Sequence, residues 1–106
     1  MSVGKSKSDA IQHLIGRWIA ADEWTTDVEL IVSNRGGKIR VRAKDQSDGE
    51  EAEIFDLKVT KSDISFAAYW SSGQLTKYRL RALGNGQMEA VFTVTATTTF
   101  ERSAKR

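Results

Sequence analysis

The sequence predicts a small all-β domain, an antiparallel up-and-down barrel of seven to eight strands in meander order with a short N-terminal helix. Polar and apolar residues alternate with a period of two from Arg17 onward, which is the period of a half-buried strand. Glycine-containing or polar turns separate these segments at short intervals. The chain also has no proline, so its backbone N–H groups are free to donate to a sheet ladder.

Length and composition limit the class of protein. With 106 residues the chain forms one domain, which we assign to residues 8–106 behind a disordered leader of residues 1–7. The absence of cysteine excludes disulfides, thiolate nucleophiles and cysteine-based metal sites. No secretory apolar region follows the N-terminus, and no apolar run reaches the roughly 20 residues of a membrane helix. We therefore expect a cytoplasmic protein without a membrane partner.

The N-terminal elements are a short helix and a first strand. Ser8 or Asp9 can cap the helix, and Gly16 ends it. Its apolar side is formed by Ala10, Ile11, Leu14 and Ile15. Residues 17–21 begin the first strand, and an irregular stretch follows over residues 22–26.

Five further segments alternate before the final one, over residues 27–33, 38–44, 51–60, 64–70 and 75–83. The turns between them include Asn34–Gly37 and Gly84–Gly86, whose glycines tolerate a positive φ. The side chains that this alternation assigns to the interior are Leu30, Val32, Ile39, Val41, Phe55, Leu57, Ile64, Phe66, Tyr78, Leu80, Met88, Phe92 and Phe100.

The last segment, from Gln87 to Arg102, allows two interpretations. A single long, bent strand gives seven strands, whereas a hairpin near Thr95–Thr97 gives eight. We favour eight strands, because a long free edge invites aggregation and barrel closure removes that edge.

Three features of the chain resemble the calycin group, which includes the lipocalins and the fatty-acid-binding proteins. They are Gly16-x-Trp18 at the start of the first strand after a short helix, the meander, and Arg102 near the end of the last strand. The resemblance implies that Trp18 and Arg102 pack together as a structural plug at the closed end of a barrel. The chain departs from the group in three respects: it is shorter than a typical lipocalin, it has no lipocalin motif at the middle loop, and it has no cysteines.

The leading functional hypothesis is non-catalytic binding of a small apolar or aromatic molecule inside the barrel. An eight-stranded barrel is wide enough either to be filled by side chains or to hold one small ligand, so a filled interior is the competing interpretation. Tyr78 would supply a polar group for orientation. The residues predicted to line the ligand site are Leu30, Val41, Phe55, Phe66, Trp70, Tyr78 and Phe92.

Two alternatives come from other classes of function. A filled barrel could act as a protein-interaction module or a homodimer through the outward-facing Ile31, Tyr69 and Val91. A small barrel enzyme of the cyclase or isomerase type could instead use the acidic residues Asp22, Glu23 and Asp27 at the barrel mouth. These lie beside an aromatic ring, which can raise the pKa of a carboxyl group.

The remaining charged residues predict a solvated outer face. Two strands carry basic rows, namely Lys38, Arg40, Arg42 and Lys44 on one and Lys77, Arg79 and Arg81 on the other. Glu29, Asp56 and Glu89 on flanking strands can pair with them across the sheet. With 16 basic and 14 acidic residues the net charge is only +2, so we expect no nucleic-acid partner. The single histidine, His13, lies on the leading helix, and we expect neither a metal nor a cofactor.

Overall fold

The computed structural model describes residues 10–21 and 27–103, and these form an antiparallel meander of seven strands. Residues 10–12 are helical and precede the sheet. The strands are β1 (Gly16–Trp18), β2 (Val28–Arg35), β3 (Lys38–Asp45), β4 (Glu53–Val59), β5 (Asp63–Tyr69), β6 (Leu75–Gly84) and β7 (Gln87–Thr95). The predicted all-β class, the meander order and the short helix are confirmed. The predicted leader over residues 1–7 lies outside the described residues.

The strands are organised as two sheets that share one core. The first has the order β1-β2-β3 and the second the order β4-β5-β6-β7, and every neighbouring pair is antiparallel. A single bridge between Lys44 and Glu51 links β3 to the region before β4. Within residues 10–21 and 27–103 no bridge joins β7 to β1, so the meander stays open between its first and last strands.

Two-residue turns connect the best-defined hairpins. Gly36 and Gly37 join β2 to β3 with φ values of +59° and +87°, and the Asn34 side-chain oxygen accepts a hydrogen bond from the Gly37 N–H at 2.9 Å. Asn85 and Gly86 join β6 to β7 with φ values of +56° and +72°. Positive φ at both central residues is the geometry that matches the twist of paired strands. The predicted turns at Asn34–Gly37 and Gly84–Gly86 are therefore confirmed.

The core fills the space between the two sheets. Its largest fully buried side chains are Leu14, Val32, Ile64 and Leu80, which come from both sheets and from the residues before β1. The Phe66 ring stacks on Tyr78 with a centroid separation of 5.0 Å. Val41 and Phe66, both predicted to line a ligand site, belong to this cluster. The inner faces of both sheets therefore contribute side chains to one buried core.

A bulge in β4 changes the face on which Phe55 lies. The register slips between Phe55 and Lys58, and Asp56 has a φ of +57°. Ile54 pairs with the buried Ala68, whereas Phe55 pairs with Ala67 and is 40 % exposed. Because successive residues of a strand face opposite sides, Phe55 lies on the outer face. The prediction that Phe55 faces the interior was wrong, because the alternation Phe55-Leu57-Val59 runs through the bulge.

The chain does not turn back after β7. Thr95 pairs with Leu75 at the end of the sheet, and residues 96–103 continue with no strand, turn or bend. Every side chain from Val91 to Ser103 is exposed, and Phe100 is 90 % exposed. The hairpin predicted near Thr95–Thr97 is absent, because no residue there favours the backbone conformation of a tight turn.

The predicted plug is formed only in part. Trp18 packs against the core cluster, whereas Arg102 lies in the exposed segment 96–103. Over the described ranges there is no ring–cation contact between the two side chains, so the structure does not bring them together. No helix within those ranges is long and apolar enough to cross a membrane.

Candidate functional site

An apolar groove of about 420 Å³ lies where the meander is open, between the β1–β2 hairpin and β7. One side is formed by Trp18, Ile19 and Ala20. The opposite side is formed by Met88, Ala90 and Phe92 of β7. Leu30 of β2 and Leu83 of β6 complete it. We call this surface the apolar groove.

The β1 side of the groove is exposed because the paired segment of β1 and β2 is short. Only three residues are paired, from Gly16 opposite Val32 to Trp18 opposite Leu30. The chain then leaves the sheet, and Ile19 is left 64 % exposed at the groove. The Trp18 indole N–H donates a hydrogen bond of 2.8 Å to the Leu14 carbonyl. That bond holds the Trp18 ring against the core at the side of the groove.

The β7 side of the groove is formed by side chains on the inner face of β7. In the described part of the chain this strand pairs only with β6. Met88 is opposite Ala82 and Ala90 is opposite Leu80 on β6. Phe92 is opposite Tyr78, with ring centroids 5.7 Å apart and the planes tilted by 36°. Methionine is flexible and adapts to irregular apolar shapes, which suits a binding surface.

The β6–β7 turn closes one end of the groove. The register shifts between Ala82 and Gly84, so Leu83 has no cross-strand partner and lines the groove at 53 % exposure. Gln87 at the start of β7 also lines it. Its amide is therefore a hydrogen-bonding group close to an otherwise apolar surface.

A second cavity, also of about 420 Å³, shares the lining residues Val28 and Phe92 with the apolar groove. Its aromatic lining is Trp70, Tyr78 and Phe92. Its rim carries the acidic residues Asp27, Asp45, Asp48 and Glu50. Phe92 lines both cavities, so the two are neighbours.

The acidic residues on this rim accept hydrogen bonds that stabilise the loops in which they lie. The Asp45 side-chain oxygen accepts hydrogen bonds from the Ser47 hydroxyl at 2.6 Å and the Ser47 N–H at 2.8 Å, which lowers the pKa of Asp45. The Glu50 carboxylate accepts a hydrogen bond of 2.7 Å from the Ser71 N–H, which joins two loops. These contacts give the carboxylates a structural role.

Tyr78 connects the core to the second cavity. Burial raises the pKa of its hydroxyl to about 12, so the side chain stays neutral through the physiological range. Its ring contacts Phe66 in the core on one side and Phe92 at the edge on the other.

The predicted ligand-binding residues fall into four places. Leu30 and Phe92 line the apolar groove. Trp70 and Tyr78, together with Phe92, line the second cavity. Val41 and Phe66 line neither space and belong to the buried core, which also includes Leu30, Trp70 and Tyr78. Phe55 lies on the outer face. The structure therefore does not gather the seven residues around one interior pocket.

Sequence reasoning missed Met88 and Ala90 as lining residues. Both share the inner face of β7 with Phe92, so their spacing carried the signal. The sequence gives no such signal for Ile19 and Leu83. Each of them lines the groove at a point where regular strand pairing is interrupted, which the alternation does not predict.

The residues of the alternative hypotheses are dispersed. Asp27 is exposed, and its carbonyl accepts hydrogen bonds from the Gln46 backbone and side chain at 3.0 and 3.1 Å. Asp22 and Glu23 lie outside the described residues. No group of three or more acidic, histidine or cysteine residues in the described ranges is placed to hold a metal ion.

The predicted outer contact residues belong to separate strands. Tyr69 on β5 and Val91 on β7 are exposed, with β6 between them. Ile31 is half-buried on β2, in the other sheet.

Among the residues that the structure describes, three ion pairs lie on the sheets. Arg42 pairs with Glu51 at 2.5 Å and Arg81 pairs with Glu89 at 2.8 Å, both exposed. The Glu51 carboxylate raises the pKa of Arg42, and the Arg42 hydrogen bond lowers that of Glu51. In the third pair Arg17 meets the buried Glu29 across β1 and β2 at 2.5 Å. The predicted pairing with a basic row is confirmed for Glu89, whereas Glu29 pairs with Arg17 of β1 instead of with the row on β3.

Comparisons with protein-family models, curated proteins and solved structures found no match to this chain. The functional assignment therefore depends on the geometry of the groove.

Proposed function

We propose that the protein binds a small apolar or aromatic molecule, without catalysis, in the apolar groove. The single observation that carries this proposal is an apolar space of about 420 Å³ beside the buried core. Ligand pockets commonly measure roughly 300 to 1,000 Å³ and have mostly apolar linings with few polar groups. On this proposal the two sheets form an open, calycin-like barrel, and the ligand enters between β1 and β7.

The free energy of binding would come from apolar contact. Removing roughly 300 Å² of apolar surface from water at about 25 cal/mol per Å² yields about 7.5 kcal/mol before the costs of association. This gain alone corresponds to a dissociation constant of a few micromolar, so after the costs of association we expect weak binding, toward about 1 mM. A planar aromatic ligand fits best, because Trp18 and Phe92 face the groove from opposite sides.

A neutral fluorescent probe, N-phenyl-1-naphthylamine, tests the proposal. Ala90→Trp fills the groove with an indole ring, whereas Val91→Trp adds the same ring to the outer face one residue away. We expect the wild type and Val91→Trp to enhance the fluorescence of the probe and Ala90→Trp to lose that enhancement. Equal enhancement by the two variants, with circular dichroism showing both folded, would overturn the proposal.

A further inference from the structure

Strand β7 presents a long unpaired edge that the following segment extends. Its nine residues pair with β6 on one side, and the described residues provide no strand on the other. Residues 96–103 prolong it without a turn, and all their side chains are exposed. A free edge of this length is a template for another strand.

The composition of this edge offers no protection against pairing. Natural edge strands are blocked by charged side chains, proline or bulges. From Ala90 to Phe100 the chain contains no charged residue, no glycine and no proline. By contrast, β3 carries a basic residue at Lys38, Arg40, Arg42 and Lys44, and β6 at Lys77, Arg79 and Arg81.

We propose that two copies of the chain pair residues 91–101 antiparallel along this edge, so that Phe100 of each copy packs against Phe92 of the other. The two-fold axis passes through Ala96, which places Phe92 opposite Phe100 and Val94 opposite Thr98. Directly opposite residues in an antiparallel pair lie on the same face and contact each other. Phe92 is 36 % and Phe100 is 90 % exposed in the single chain, so both rings gain cover.

The charges at the end of the segment fit the same register. Glu101 of one copy lies opposite Val91 of the other, on the outer face. Val91 in turn pairs with Arg79 on β6, which is exposed and has no ion-pair partner in the described part of the chain. The Glu101 carboxylate therefore joins the cross-strand row of Val91 and Arg79, with one strand between it and the Arg79 guanidinium.

The second copy also completes the apolar groove. Phe92 lines the groove from β7, and Phe100 of the second copy would lie beside it on the same face. Each copy thus contributes one aromatic side chain to the other's groove. Dimer formation itself is independent of any ligand, whereas this contribution to the groove rests on the proposed function.

The mass of the protein in solution, measured by light scattering after size exclusion, tests the pairing. We expect a concentration-dependent rise to twice the chain mass of 11.8 kDa. Phe100→Glu places a carboxylate against Phe92 and should weaken the dimer at least about tenfold. Thr99→Glu adds the same charge on the outer face, in the row of Thr93 and Lys77, and should leave the dimer intact. All the substituted side chains are exposed, so the fold of the single chain is preserved.

Cysteine cross-linking tests the register, because the chain has no cysteine of its own. Ala96→Cys puts the two thiols directly opposite each other at the two-fold axis, within disulfide reach. Thr99→Cys separates the thiols by about 20 Å along the paired strands, beyond that reach. Rapid oxidation of Ala96→Cys alone supports the proposal. A monomeric wild type, or equal cross-linking of both variants, overturns it.

The two proposals fail separately. A monomer that still binds the fluorescent probe overturns the dimer and leaves the ligand proposal standing. A dimer whose probe binding is the same in Ala90→Trp and Val91→Trp overturns the ligand proposal alone.

Discussion

The β5–β6 hairpin and the β7 strand have the same alternating pattern but very different surroundings. β5 buries Ile64, Phe66 and Ala68 on its inner face, because β4 and β6 pair with it on both sides. β7 has Met88, Ala90 and Phe92 at the corresponding positions, yet none of the three is fully buried. A period of two therefore specifies which face a side chain occupies, whereas its burial depends on what packs against that face.

The two edges that border the groove differ from each other in a similar way. β1 is short, and its Arg17 is tied to the buried Glu29 of β2. β7 is long, and beyond the Arg81–Glu89 pair its side chains are uncharged through Phe100. The short edge is thus anchored by charge, and the long edge is left open to pairing.

The largest expected effect comes from truncating a side chain in the supported region. Leu80→Ala removes a fully buried side chain on β6, and we expect a loss of about 2–5 kcal/mol in the free energy of unfolding. Val94→Ala on β7, where the residue is 48 % exposed, should cost less than about 1 kcal/mol. Urea unfolding at low protein concentration measures both. Similar losses in the two variants would remove the distinction between the regions.

A smaller effect is expected at the anchored edge. Arg17→Met leaves the Glu29 carboxylate buried without its partner, and we expect a loss of about 2 kcal/mol. Arg42→Met breaks the exposed pair with Glu51 and should cost less than about 1 kcal/mol. The same urea experiment compares them. If the two substitutions cost the same, the pair between Arg17 and Glu29 does not anchor β1.

The sequence was sufficient to predict the strands and most of the core. Alternation and glycine turns are local signals, and they located β2, β3, β5 and β6 with their inner residues Val32, Ile64 and Leu80. The β4 bulge was not predictable, because Asp56 adopts a positive φ although its residue type does not demand one. Phe55 was consequently assigned to the wrong face.

The groove could be predicted only in part, because it depends on contacts that do not form. Leu30 and Phe92 were chosen for their inward positions, which place them correctly at the groove. The hairpin expected near Thr95–Thr97 was inferred from the need to close a barrel, which is a global argument without a local turn signal. The structure follows the local residues, and the chain continues straight past Thr95.

The β6–β7 turn provides the next test, because it holds the open edge in register. Gly86 has a φ of +72°, where a side chain is strained although the space around it is empty. Gly86→Ala should therefore destabilise the protein by about 1 kcal/mol. We expect amide hydrogen exchange to increase in β7 and to stay unchanged in β5. Uniform acceleration across both strands would mean that β7 unfolds together with the core.

The pH dependence of stability tests whether β7 shields Tyr78. Burial raises the Tyr78 pKa from 10.0 to about 12, so the folded state resists deprotonation more than the unfolded state does. The stabilising contribution is complete below pH 10 and is lost as the pH rises toward 12. Relative to Tyr78→Phe, which cannot ionise, the wild type should therefore lose stability across this interval. Tyr69→Phe, at an exposed position, should behave like the wild type.

Phe92→Ala removes the β7 ring that contacts Tyr78. Water then reaches the hydroxyl, so the pKa of Tyr78 in the folded state should fall, and the loss of stability should end at a lower pH than in the wild type. An unchanged interval in Phe92→Ala would show that the shielding comes from the core side alone, and that the open edge contributes nothing to it.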